Sequence, residues 1–324
     1  MRRNVQKLLC NMLIFAVILA QHTYAKEGYR KLRYTSRSQM EAANWQGKVR
    51  TRLFNILKFN DLIRTRDRIP LAPVVLSAKA RDGYILKEIE INTTTHRRMQ
   101  IVVTLPADST RQYPAIVCIH GHGHNRYSVY EPESIYKGFA AKLAESKKIT
   151  ISADVGQHEV YESERILMGE RLWDLMRCVD YLESLPQVDL LKIGCAGLSL
   201  GGEMAMWLGA MDERIAAVVS SGFLTKMDQM EQNHCMCWKF DGLRELVDFA
   251  DIYSLIAPRP LLCQNGLKEP ETQFYVPIAK TAMQEIKVIY RDFNCPDAVS
   301  LQVHPEGHVI DLPGLMKFFK LNGF

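Results

Sequence analysis

The stretch AGLSLGGEMA, residues 196–205, sets one serine among three glycines, after an apolar run and before a small-residue one. The run ahead of it, KIGCAGL (192–198), is strand-like, and LGGEMAMWLGAM (200–211) is helix-like. A serine between strand and helix has to make a sharp turn that brings backbone close on both sides. Gly197 and Gly201, two residues before and two after, lack the Cβ that would clash. Gly-x-Ser-x-Gly in this setting lifts the Ser199 hydroxyl above a sheet and aims the N–H of Leu200, at a helix N-terminus, at an oxygen that becomes anionic during acyl transfer. The competing reading makes Ser199 a cap for the following helix, a position that also favours serine. The pentapeptide alone does not choose between the two.

Outward from this turn, strand-like runs fall at 115–120, 149–155, 193–198, 216–220 and 260–264, with AVSLQV (298–303) the last. Helix-like stretches separate them, such as ERLWDLMRCVDYLESL (170–185), where Leu172, Leu175, Met176, Val179 and Leu182 keep one face apolar. This alternation predicts an α/β fold: a mostly parallel central sheet with helices on both faces. Ligands of such sheets bind beyond the carboxyl ends of the strands. Ahead of the alternation, 88–107 reads as a β-hairpin turning near Thr94–His96. Residues 26–80 read as an N-terminal helical extension, with Trp45, Val49, Leu53 and Ile56 at helical spacing, packed on a domain spanning 81–324.

A serine hydroxyl needs a base, and the base needs an orienting group. In sheets of this kind the order along the chain is Ser, acid, His. Three histidines follow Ser199. His308, in HPEGHVI (304–310), sits in a loop past the last strand and is preferred; His304 ends that strand, and His234 lies far upstream. For the acid, Glu269 stands just beyond PLLCQNG (260–266), with Glu271 beside it; Asp228 lies on an earlier loop, and Asp292 and Asp297 flank a surface connection. The loop IHGHGHN (119–125) follows a strand, and the N–H of His122 is the expected second oxyanion donor. Its alternating histidines have no adjoining acid and are read as shaping the loop. HCMCW (234–238) has the look of a metal fragment, but no second Cys/His pair accompanies it at zinc-finger spacing. The reading therefore assigns neither a metal nor an organic cofactor.

The 324-residue chain is 47 % hydrophobic and 24 % charged, a globular composition without repeats. Its Lys and Arg exceed Asp and Glu by five. Arg2, Arg3 and Lys7 account for three of these, so the rest gives no electrostatic case for nucleic acid. Those three cations open MRRNVQKLLCNMLIFAVILAQHTYA (1–25), whose apolar run from Leu8 to Ala20 and small residues Thr23 and Ala25 read as an export signal cleaved after Ala25. The competing reading is an uncleaved anchor. Cleavage implies a secreted or periplasmic protein without stable membrane association. Seven cysteines remain, an odd number that argues against a complete disulfide framework.

Together, IHGHG, SADVGQHE, the long segment 171–222, IAPRPLLCQNG and EGH resemble the α/β-hydrolase superfamily over 81–324. Within it they resemble the branch of acetyl xylan esterases, cephalosporin deacetylases and dienelactone-hydrolase-like proteins. The resemblance implies Ser199 as nucleophile, His308 as base and Glu269 as acid, although relatives commonly carry Asp at the last position. It also implies small acyl, often acetyl, esters as substrates, on small molecules or carbohydrate. A secreted serine esterase is thus expected. The alternatives are the same triad on a glucuronoyl ester or peptide-like amide, and a catalytically silent binding protein.

Overall fold

A computed structural model describes residues 29–324 except 109, 232 and 233. The expected leader, 1–25, lies outside the described residues. Nine strands form one sheet: β1 (Val74–Arg81), β2 (Tyr84–Asn92), β3 (Arg98–Pro106), β4 (Tyr113–Ile119), β5 (Ile149–Ala153), β6 (Val188–Leu198), β7 (Ile215–Ser221), β8 (Leu261–Gly266) and β9 (Val299–His304). Their spatial order is β1-β2-β3-β5-β4-β6-β7-β8-β9. The first four in that order pair antiparallel and the rest parallel. The longer helices are α1 (Gln39–Ile56), α2 (Phe139–Glu145), α3 (Leu167–Glu183), α4 (Leu200–Met211), α5 (Val276–Asp292) and α6 (Leu312–Leu321).

Register places the chemistry at one edge. Ile119 pairs with Gly197, Leu198 with Ser221, Ser221 with Gln264, and Gly266 with His304. The carboxyl ends of five adjacent parallel strands are therefore level, and the loops that follow them share one rim. Chain order reverses at β4, which lies between β5 and β6, the kind of switch point beside which open α/β sheets form a crevice.

The extension is helical where the apolar spacing predicts it. Ser38 caps α1 by accepting from the Glu41 N–H, and Ala42, Val49 and Leu53 are buried. Gln46 is buried too, donating to the Ser254 and Ala257 carbonyls at 3.0 and 2.7 Å, so polar bonds as well as apolar contact dock the helix. One expectation needs amending. Residues 74–80, counted with the helical extension, form β1 together with Arg81 and belong to the sheet; Val74, Val75 and Leu76 are exposed there, so the strand has no alternating pattern. The polar face of α3 is buried as well as its apolar one. Asp174 is bound by Arg97, while Arg177 and Arg214 both reach Asp180. Burial of these charges is tolerated because each has a partner of opposite sign.

Candidate active site

Ser199 sits at the β6–α4 junction with φ 63° and ψ −126°, a left-handed conformation that costs a non-glycine residue about 1–3 kcal/mol. The two motif glycines account for the tightness of the turn. A Cβ on Gly197 would lie 2.2 Å from the Gly201 oxygen, and one on Gly201 would lie 2.2 Å from the Ile119 oxygen. The serine backbone is fully used: its N–H donates to the Ser221 carbonyl at 3.0 Å and its carbonyl accepts from the Glu203 N–H at 2.9 Å. Its side chain makes no capping bond to α4, which removes the helix-cap reading. The hydroxyl is left half-buried at the rim.

His308 and Glu269 meet across two loops. His308 Nδ1 lies 2.9 Å from Glu269 Oε1 and 3.1 Å from Oε2. The carboxylate is 2 % exposed and the imidazole 33 %. That bond assigns the ring proton to Nδ1 and leaves Nε2 free to accept. The imidazole stacks on Phe274, with ring centres 5.4 Å apart and planes 15° apart. It also lies against Gly222, where an added Cβ would stand 2.9 Å from His308 Cε1. Gly222 follows Ser221, the residue that anchors the Ser199 N–H, so the imidazole and the serine turn flank one short piece of β7.

The other carboxylates do not share this position. Asp228 pairs with Arg244 at the surface, Glu271 and Asp297 are exposed, and Asp292 accepts from the Tyr34 hydroxyl. His304 is buried at the end of β9.

On the opposite side of Ser199, the Gly121 N–H donates to Tyr136 Oη at 2.6 Å. Among the described residues, neither the Leu200 nor the His122 N–H donates a hydrogen bond, so both remain available. His120 shapes this loop from within: fully buried, it reaches the Gly121 carbonyl through Nδ1 and accepts the Val155 N–H at Nε2, 3.1 Å away. Those bonds fix it as a neutral imidazole, and burial pushes its pKa down. The side chain of His122 turns elsewhere. Its Nε2 is 3.1 Å from Cys237 Sγ, and its ring stacks on His158 at 5.2 Å. Burial, with the Arg171 charge nearby, lowers the His122 pKa to about 4. Sequence reasoning missed this grouping. The available signal was that His122, His158 and Cys235–Cys237 all lie in loops following strands, which a parallel sheet brings to one rim.

The fungal glucuronyl esterase family sequence model matches residues 89–223, and an Abhydrolase family model matches 22–154. YtaP of Bacillus subtilis (strain 168), a candidate hydrolase, is 25 % identical over 229 residues, covering 63 % of this chain and 76 % of YtaP. A candidate acetyl xylan esterase of Bacteroides fragilis NCTC 9343 superposes with TM-score 0.70 at 19 % identity, over 90 % of this chain and 82 % of that one. The chain has the α/β-hydrolase fold. A CE15 glucuronoyl esterase of Teredinibacter turnerae T7901 has the same fold, with TM-score 0.67 at 14 % identity over 92 % of this chain and 89 % of that one. No helix among the described residues is long and apolar enough to cross a membrane.

Proposed function

We propose that this α/β hydrolase is an exported serine esterase that removes short acyl groups, acetyl foremost, from carbohydrate or small-molecule alcohols. The observation that carries the reading is the Glu269–His308 pair set beside the strained Ser199 turn. In this mechanism Ser199 Oγ attacks the ester carbonyl and its proton passes to His308 Nε2. Glu269 holds the imidazole by its Nδ1–H and stabilises the imidazolium. The N–H groups of Leu200 and His122 receive the negative charge on the carbonyl oxygen. His308 then protonates the departing alcohol, and water repeats the sequence on the acyl-enzyme. The acetyl xylan esterase among the structural neighbours supports the choice of acyl group, and the leader-like 1–25 segment supports export.

A glucuronoyl ester is the second reading, favoured by the family match over 89–223. The two differ in which side of the ester carries the sugar. Purified protein assayed on acetylated xylo-oligosaccharides, methyl glucuronoyl esters and p-nitrophenyl esters of increasing acyl length tests both. Acetyl release that exceeds hydrolysis of acyl chains of about eight carbons supports the first reading. In a fitting pocket each added methylene is worth around 1 kcal/mol, so a preference for long chains would reject it. Turnover confined to the glucuronoyl esters would establish the second.

A further inference from the structure

Four side chains that play no part in the acyl chemistry converge beside the loop after β4. They are His122 from that loop, His158 from the loop after β5, and Cys235 and Cys237 from the excursion after β7. Their ligating atoms all lie within 4.8 Å of one another. His122 Nε2 is 3.1 Å from Cys237 Sγ, and His158 Nε2 is 3.2 Å from Cys235 Sγ. Both cysteines are free thiols. We infer that His122, His158, Cys235 and Cys237 form a tetrahedral Cys2His2 site for one zinc ion, and that this ion ties together three of the loops on the active-site rim.

The donor set selects the metal class. Two sulfurs and two imidazoles without a carboxylate suit a borderline-soft ion such as Zn(II), and not Mg(II) or Ca(II). A zinc ion at ordinary bond lengths places a nitrogen and a sulfur about 3.5 Å apart across the tetrahedron. The cluster's 3.1 and 3.2 Å separations therefore open by only a few tenths of an ångström to admit it. Binding takes one proton from each thiol, so the dication and two thiolates sum to zero charge. Buried Arg171 supplies an outer partner: its Nη1 donates to Cys237 Sγ at 3.4 Å, the kind of N–H contact that stabilises a bound thiolate. His158 is exposed, which gives the ion a route in.

Four protein ligands leave no open coordination position, so the role is structural. Three loops that would otherwise be joined by weak thiol–imidazole contacts become cross-linked through one centre. Because His122 both ligates through its ring and offers its backbone N–H at the rim, the ion also fixes the direction of that N–H. The metal site stands independently of the esterase reading, since its ligands are separate from Ser199, Glu269 and His308.

The test uses the full chain, purified without chelator from zinc-supplemented cells. Elemental analysis should find one zinc per chain, and replacement by Co(II) should give thiolate-to-cobalt charge-transfer absorption with the visible bands of a tetrahedral ion. Cys235→Ser/Cys237→Ser should abolish both signals. His158→Gln, at an exposed position where misfolding is not expected, should weaken zinc affinity by roughly tenfold or more. Removing the ion from the wild type should lower Tm, and zinc alone should restore it. The inference is overturned if the wild type holds no zinc and gives no cobalt spectrum. It is equally overturned if zinc content survives the double cysteine substitution, or if the native protein carries a Cys235–Cys237 disulfide in place of the metal.

Discussion

Glu269 and His308 are joined by more than their side-chain bond: the loops bearing them are also stitched together through backbone. The Leu267 N–H donates to the His304 carbonyl at 2.8 Å, and the Lys268 N–H to the Glu306 carbonyl at 3.1 Å. The carboxylate is therefore delivered to the imidazole by two ladder-like bonds just ahead of it. Asn265, inside β8, donates to the Phe274 carbonyl at 2.9 Å and so holds the ring on which the imidazole stacks.

From this arrangement Glu269→Gln is expected to keep the fold while lowering ester turnover by roughly two to four powers of ten, since a neutral amide neither fixes the tautomer nor stabilises the imidazolium. Glu271→Gln and Asp228→Asn, at exposed or Arg244-paired positions, should each cost less than about tenfold. Steady-state kinetics of the three variants on one acetyl ester decide the matter. If Asp228→Asn is the crippled one, the acid lies on the earlier loop.

The parts of this protein that could be read from the sequence are those with local causes. The Ser199 turn announces itself because its steric demand falls on residues two positions away. The parallel runs announce themselves because strands buried on both faces are continuously apolar. Strand β1 was hidden for the converse reason, being an exposed edge with no alternation. Only the Asp82-Gly83 pair between β1 and β2, with Gly83 at φ 83°, carries a local hairpin signal. Periodicity shows which side of α3 is apolar and does not show what covers the other, which here is Arg97 and a set of buried ion pairs. The cluster of His122, His158, Cys235 and Cys237 was out of reach of any spacing rule: its members are brought together by the sheet, and HCMCW finds its second pair only in space.

Ser199→Gly separates reactivity from strain. Loss of the hydroxyl should reduce turnover by three or more powers of ten. The substitution also relieves the left-handed backbone, worth about 1–3 kcal/mol, against an unfolded-state entropy cost of up to about 1 kcal/mol. The variant should therefore be at least as stable as the wild type in urea, whereas Ser199→Ala, which keeps a Cβ at φ 63°, should gain nothing. A Gly variant clearly less stable than the Ala variant would show that the turn is not strained.

Two glycine-to-alanine changes should act in opposite directions. At Gly201 the new Cβ would meet the Ile119 oxygen at 2.2 Å, backbone on backbone with nothing flexible to yield, and a loss above about 2 kcal/mol is expected. Gly47, in the middle of α1, has nothing within 4 Å of an added Cβ. There the gain in helix propensity should stabilise by about 0.5–1 kcal/mol. Denaturant midpoints of the two variants, measured alongside the wild type, check both signs.

Glu203 gives the native state a pH dependence that can be isolated. It lies one turn into α4, 1 % exposed, with Oε1 lacking any hydrogen-bond partner. Burial raises its pKa from 4.5 to about 8, against the lowering influence of Arg171. Between those two values the native carboxyl keeps its proton while the unfolded chain has lost it, so the unfolded state binds fewer protons and stability falls as pH rises. For one group the slope approaches about 1.4 kcal/mol per pH unit inside the window. Glu203→Gln holds an uncharged group of the same shape and removes this contribution. Its stability, whatever constant offset repacking adds, should decline less than that of the wild type between about pH 5 and pH 8, because every other titrating group is common to both proteins. Urea unfolding across that range measures the difference. Parallel curves would mean that Glu203 is ionised in the folded protein and that Arg171, not the proton, neutralises it.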